Sequence, residues 1–383
     1  MSSNPISEIR LRIDAIKELY YTKCSVFTVS PNQAFLRLLD DCITNQNLPR
    51  KIVIRGNDPE NFNSRLTSSD FIALVYTLTE VEGLDLEQLE IINHRLNDPH
   101  GGGPFVNLLT TFPNSLTHLS FAHNDLCTSA LPLTDALRGC QLRSLDISHN
   151  PLGPTFGIQL VPSLRIMDTL EYIDLSHTQQ NEASLVSLID VLLHSPNLKV
   201  LKMDDPEWMR DKMAVVYRLG LLLEKAKNLT HVSLKNWKLN DDEVEHLAFS
   251  LQKSSVTHLD LSKNRLGEIG FRNMHGKWPE KLHTLILHTN RINDRSIAYL
   301  PLNVPELDIA NNTRITKIGT TMLTMRIDSE PNNLAVLTLW GAEFVPKSAF
   351  ALRDSQNRNG FECDIYVCED GSVALQSAPS IHL

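Results

Sequence analysis

The chain has 383 residues, 42% of them hydrophobic and 21% charged, and 36 basic against 45 acidic side chains give a formal charge of −9. That balance excludes a disordered chain and argues against nucleic acid as a partner, because neutralising phosphates takes concentrated Lys and Arg. The six cysteines (Cys24, Cys42, Cys127, Cys140, Cys363 and Cys368) are scattered without a C-x-x-C pair, as expected of reduced thiols in a cytoplasmic protein.

Taken in chain order, residues 1–10 lack the apolar core of a signal peptide, and no later run of about 18 apolar residues offers a membrane span. Residues 6–21 carry Ile9, Ile13, Ile16 and Leu19 at helical spacing. A second helix is expected over residues 31–44, with Ser30 as N-cap and Pro31 in the first turn. These two helices predict an N-terminal cap over residues 1–47.

From residue 48 the chain takes on a regular beat. Leu116, Leu119, Phe121, Asn124 and Leu126 occupy the fixed places of one eleven-residue phrase, and Leu142, Leu145, Ile147, Asn150 and Leu152 occupy those of the next. The same frame returns from Val256 to Leu266 and from Leu282 to Ile292. Weaker copies begin near residue 49 and at Leu86, Leu170, Leu198, Leu229, Val304 and Leu334, which makes eleven. From Leu86 to Leu334, nine steps span 248 residues, a mean near 27.6.

Each phrase predicts a short strand with alternate side chains inward. The Asn then turns the chain and bonds backbone groups inside the coil. Helical spacing over residues 68–79, 182–194 and 242–252 predicts amphipathic helices that return on the outside. A single repeat cannot bury its apolar face, so stacked neighbours must share one core. Residues 361–367 alternate into an Asp370-Gly371 turn and residues 373–375, which predicts a hairpin cap over 361–383 with a frayed end after residue 375.

The frame L-x-x-L-x-L-x-x-N-x-L, at this period over residues 48–360, resembles the ribonuclease-inhibitor-type leucine-rich repeat family. The resemblance implies an α/β horseshoe solenoid with a concave parallel sheet, outer helices and about eleven repeats. It also implies that the concave sheet binds a protein, so that the chain is an adaptor or scaffold and not an enzyme, monomeric on its own. Positions 2, 3, 5, 7 and 8 of each phrase face that surface. They hold ten acids and eight bases, a mixture that suits a protein partner better than nucleic acid; no membrane partner is expected.

Eight of the 14 histidines fall on this face: His118, His123, His149, His177, His231, His258, His283 and His288. His123, His149 and His177 share one position in three consecutive repeats, so strands about 4.8 Å apart should stack them as a ladder. A flat ladder suits the tetrahedral demand of zinc poorly, and no metal or cofactor is expected. Charging all eight would carry the face from −2 to +6, below about pH 6.5. The candidate partner-binding residues are His123, Asp146, His149, Tyr172, Asp174, His177, Lys202, Asp204, Asp205, Trp208, Lys235, Asp260, His288 and Trp340. Trp237 sits at an inward position and is expected in the core.

No phosphate loop, H-E-x-x-H or G-x-S-x-G is present. The loop 100–104 is glycine-rich and reads as a strand-to-helix connection. One enzyme-like alternative is a GTPase-activating protein of the Ran type, another leucine-rich repeat family; Arg65 in the first loop, 57–66, would stabilise charge there. Against it, the chain has no long acidic tail and the loop does not match that family's motif. A structural subunit of a ciliary or immune assembly, or a bacterial effector that imitates such repeats, are the other readings.

Overall fold

In a computed structural model, the described residues are 5–57, 65–97, 102–208, 212–376 and 381, with side chains described from residue 8. The chain divides into two compact units, Met1–Leu198 and Lys199–Leu383.

The first unit opens with α1 (Pro5–Val26) and α2 (Gln33–Thr44). Helix α1 runs past the expected end at residue 21, because Cys24 continues the buried stripe of Ile13, Ile16 and Tyr20. The expected cap of α2 is corrected. Asn32, not Ser30, is the N-cap: its side chain accepts from Phe35 N, and Pro31 precedes the helix. The Asn32 N–H donates to the buried Tyr20 hydroxyl at 3.1 Å, which ties the cap to α1. Strands and helices then alternate: β1 (Lys51–Arg55), α3 (Ser68–Glu80), β2 (Gln88–Ile92), α4 (Gly103–Thr111), β3 (His118–Ser120), α5 (Pro132–Ala136), β4 (Ser144–Asp146), α6 (Gly153–Leu164), β5 (Tyr172–Asp174) and α7 (Glu182–Leu192).

The second unit continues with β6 (Val200–Lys202), α8 (Met213–Lys225), β7 (His231–Ser233), α9 (Asp241–Gln252), β8 (His258–Asp260), α10 (Glu268–Met274), β9 (Thr284–Ile286), β10 (Glu306–Asp308), α11 (Lys317–Ser329), β11 (Val336–Thr338), α12 (Pro346–Asn359) and β12 (Glu362–Cys363). A single 3₁₀ turn, Ser296–Tyr299, stands in for a helix between β9 and β10. The hairpin β13 (Ile365–Val367) with β14 (Val373–Leu375) closes the described chain, and Gly371 at its turn takes φ +81°, a conformation that favours glycine. Beyond that turn, β12 pairs parallel with β11, which the expected hairpin did not include.

Within each unit the strands from β1 to β5 and from β6 to β12 pair parallel and in chain order, with equivalent apolar positions opposite one another: Leu89 with Leu119, Leu119 with Leu145, Leu259 with Leu285. The sequence beat becomes a register here. The fold is an α/β leucine-rich repeat solenoid. Fixed-position apolar side chains such as Leu145, Ile147, Leu259 and Leu261 are fully buried against the helices, and successive helices pack on one another.

Candidate functional site

The asparagine of each phrase is a connector between repeats. Asn150 is fully buried; its Oδ1 accepts from Asn124 N and Leu126 N, each at 3.0 Å, and its Nδ2 donates to Phe121 O at 2.8 Å. Asn124, Asn264 and Asn312 repeat the arrangement. Each replaces backbone bonds that a tight inward turn cannot make for itself.

The residue just before that asparagine position adopts left-handed backbone, with φ between +54° and +64° at Asn93, His123, His149, His177, Asp205, Asn236, Lys263, Thr289 and Asn311. Asn, Asp and His tolerate this region better than other side chains. The recurrence of His at 123, 149 and 177 therefore has a backbone reason. The rings do form the expected ladder: His123 and His149 stack at 3.7 Å between centroids, and His149 and His177 at 4.1 Å. Burial lowers the pKa of His123, opposed by the charge of Asp146 and reinforced by His177.

The candidate carboxylates are bound into the wall itself. Asp146 accepts from Ser148 N at 3.0 Å and Ser120 Oγ at 3.2 Å. Asp174 accepts from Ser176 N at 2.9 Å and from the Tyr172 hydroxyl at 3.3 Å, and Asp260 from Ser262 N at 2.7 Å. Asp174 and Asp260 are buried. Asp204 stands two residues later in its phrase and reaches to the next strand, where it accepts from Ser233 Oγ and from the N–H of Lys235. Burial raises the pKa of Asp204 against those bonds. Asp205 accepts from Asn236 Nδ2. Asp364, absent from the candidate set, repeats the device for β11 by accepting from Leu339 N and Trp340 N.

The aromatic candidates separate. Trp340 is 39% exposed. Trp208 is half-buried and packs edge-on against Trp237 at 5.3 Å, with the Lys212 ammonium 5.7 Å from its ring. Trp237 itself is fully buried, and its Nε1–H donates to Met203 O at 2.6 Å, the bond that asparagine makes elsewhere. Lys212 forms a shielded ion pair with Glu243 at 3.2 Å and donates to Lys238 O. Lys202 is half-buried at the end of β6. His288 shares a bond with the Thr289 hydroxyl through Nδ1 at 3.1 Å.

A second ladder lies on the second unit's sheet. His231 stacks on His258 at 4.0 Å and 7°, and His258 faces His283 at 5.5 Å. Burial lowers the pKa of His231, with Lys202 adding to it. Burial likewise lowers His258, reinforced by His231 and His283 and opposed by Glu306. The signal in the sequence is a Thr-His pair at one frame position in three repeats, Thr117-His118, Thr230-His231 and Thr257-His258.

Among the described residues no three His, Cys, Asp or Glu side chains converge as a metal site. All six cysteines are free. No helix of the described residues is long and apolar enough to cross a membrane. Arg65 is half-buried, with Nε donating to Gly56 O at 3.2 Å; the rest of its loop from residue 58 to 64 lies outside the described residues. So do residues 100 and 101 of the glycine-rich loop, residues 209–211 of the irregular stretch after Trp208, and residues 377–380, 382 and 383 of the expected frayed end.

No protein-family model matches the chain. No curated protein matches its sequence. Among solved structures, an internalin from Listeria monocytogenes is similar at 13% identity and a TM-score of 0.42, over 78% of this chain and 82% of that one. The leucine-rich repeat-containing protein LegL7 from Legionella pneumophila is similar at 15% identity and a TM-score of 0.41, over 70% and 78%. The fold assignment rests on the repeat and its strand register, not on these likenesses.

Proposed function

We propose that this chain is a non-enzymatic protein-interaction module, an adaptor or scaffold, that takes a protein partner on the sheet face away from its helices. The solenoid over residues 48–360 is the module, and residues 1–47 and 361–383 are its caps. The mean step near 27.6 residues, with a helical return, supports the ribonuclease-inhibitor subtype of the repeat.

One observation carries the reading. Parallel sheets are ordinarily covered on both faces. Here the helices take one face, and side chains on the other, such as Tyr172, Lys202, His258 and Glu306, remain part-exposed. That face is also stiff, because its carboxylates are tied to the turns. A stiff, mixed-charge wall with half-exposed aromatic rings can bind a protein at low ordering cost. Tyr172 on the first unit's sheet and Trp340 in the second unit are the aromatic contacts expected, each on its own unit.

Affinity capture with the full chain, followed by comparison of variants against whatever partner it identifies, tests this. Tyr172→Ala, Lys202→Glu and Trp340→Ala together should abolish capture. Tyr217→Ala with Phe249→Ser, both exposed on outer helices, should leave it intact. The opposite pattern would move the binding surface to the helices.

A further inference from the structure

Three rings in the second unit use the same nitrogen inward. His231 Nδ1 lies 2.9 Å from the Thr230 hydroxyl, His258 Nδ1 2.8 Å from that of Thr257, and His283 Nδ1 3.2 Å from that of Thr284. A hydroxyl has one proton to give. Thr284 gives it to Glu306 Oε2 at 2.7 Å. Thr230 and Thr257 sit 3.3 and 3.2 Å from carbonyl oxygens, Lys199 O and Thr230 O. Both carbonyls also accept the backbone N–H of the threonine and of the histidine. With its proton on Glu306, Thr284 accepts from His283 Nδ1, and His231 and His258 are assigned the same tautomer, which leaves Nε2 a bare acceptor on each. None of the three Nε2 atoms has a hydrogen-bond partner among the described residues.

This fixes what the row can hold. The rings are close to parallel, so their Nε2 lone pairs lie in separate planes and do not converge on a metal ion. Neutral acceptors beside the Glu306 carboxylate repel anions and have no N–H to offer them. A complementary group brings only donors, carries positive charge, and spreads over the 4.0 to 5.5 Å between rings. A guanidinium does this with a planar fork of five N–H donors and weak hydration; an ammonium is compact and strongly hydrated.

We infer that the His231–His258–His283 row, with Glu306 beside it, is an acceptor strip for an arginine side chain of a protein partner. The inference rests on the proposed protein-binding role of the sheet face and names the chemistry that one part of it recognises. Protonation of His231 or His258 at Nε2 turns an acceptor into a charged donor, so the strip holds arginine less well in acid. The other charged groups acting on these rings are Lys202 on β6 and Glu306 on β10.

The test is a titration of the full chain, with labelled histidines, by a tetra-arginine peptide and by a tetra-lysine peptide at pH 8 and pH 5.5. Ring ¹⁵N shifts should report Nδ1–H tautomers for all three at pH 8. The arginine peptide should bind more tightly than the lysine peptide, move these ring signals, and bind more weakly at pH 5.5 than at pH 8. His258→Phe, which keeps a stacked ring without an acceptor, should weaken it roughly fivefold, the loss of one hydrogen bond. Nε2–H tautomers, equal binding of both peptides, or unchanged affinity in His258→Phe would each overturn the assignment. Those failures would leave partner capture by the sheet face untouched. Loss of that wider reading would instead appear as capture that survives the Tyr172, Lys202 and Trp340 changes.

Discussion

His94 Nε2 lies 3.1 Å from the carbonyl oxygen of Ile54, and the other ring nitrogen accepts from Leu66 N at 3.0 Å. The ring therefore occupies the asparagine place of its phrase and makes both kinds of bond that asparagine makes there. Nε2 must carry the proton and Nδ1 must be bare, so only the neutral form fits. Burial, reinforced by the charge of Arg65, lowers the pKa of His94 to about 4, against the bond to Ile54 and the charge of Asp70.

The sign of the pH effect follows. Above about pH 6.5 both folded and unfolded chains hold His94 neutral, and no difference arises. As pH falls below the unfolded value, the unfolded chain takes the proton first, and stability is lost until pH reaches the folded value of about 4. The loss approaches about 3 kcal/mol. His94→Asn should remove this component while keeping the connecting bonds. Urea midpoints of both proteins at pH 7.5 and pH 4.5 check it: parallel shifts would show that His94 does not couple folding to acid.

Trp237 offers a second substitute for asparagine, and its indole N–H is the whole of the polar contact. Trp237→Phe keeps most of the ring volume and strands Met203 O without its donor, at a cost of about 1–3 kcal/mol. Trp237→Asn restores a donor but empties the space that Trp208 packs against, and should cost more. Thermal unfolding ranks the two, and an equal cost would mean that packing there is slack.

Thr289 is the one β-branched side chain in the left-handed turn series, at φ +58°. A branched Cβ is strained there and asparagine is not. Thr289→Asn should gain about 0.5–1 kcal/mol, less whatever the Thr289 contact with His288 contributes. A denaturant midpoint that falls instead would show that this contact outweighs the backbone strain.

Lys212 and Glu243 keep only 13% and 12% of their side chains exposed. Removing one partner strands the other charge, so Lys212→Ala should cost about 3 kcal/mol. Because Lys212 also packs over Trp208, tryptophan emission should shift to the red in the folded variant. The pair Lys212→Met with Glu243→Gln should recover much of the loss, and if it does not, the bond from Lys212 to Lys238 O is the larger part.

Asp174 changes how the sheet face should be probed. Its carboxylate is buried and accepts from Ser176 N and the Tyr172 hydroxyl. Asp174→Lys should unfold the local wall, whereas Asp174→Asn keeps an acceptor and should cost under about 1.5 kcal/mol. Circular dichroism melts of the two variants distinguish a binding defect from a folding one; equal melts would return Asp174 to the set of pure surface contacts.

Much of the architecture is legible in the chain because stacking converts one spacing into one register. Leucines at positions 4 and 6 of the phrase must be inward if neighbours are to share a core, so Leu145 opposite Leu119 and Leu259 opposite Leu285 follow from the beat alone. The histidine ladder at 123, 149 and 177 was legible for the same reason. Its cause was not: a left-handed backbone has no signature in one repeat read by itself. Nor could composition tell a carboxylate that faces solvent from one that caps a turn. Asp146 and Asp204 both look like surface charges in sequence, and both are bound to groups on a neighbouring strand, 26 residues before and 29 residues after them. His94 and Asp364 stand where no rule of residue type expects them, and Trp237, expected in the core, makes there a bond that its residue type does not foretell, because the role belongs to the position. The period depends on near neighbours and is written along the chain. The bonding of each polar side chain depends on the strand beside it, and only the folded stack supplies that.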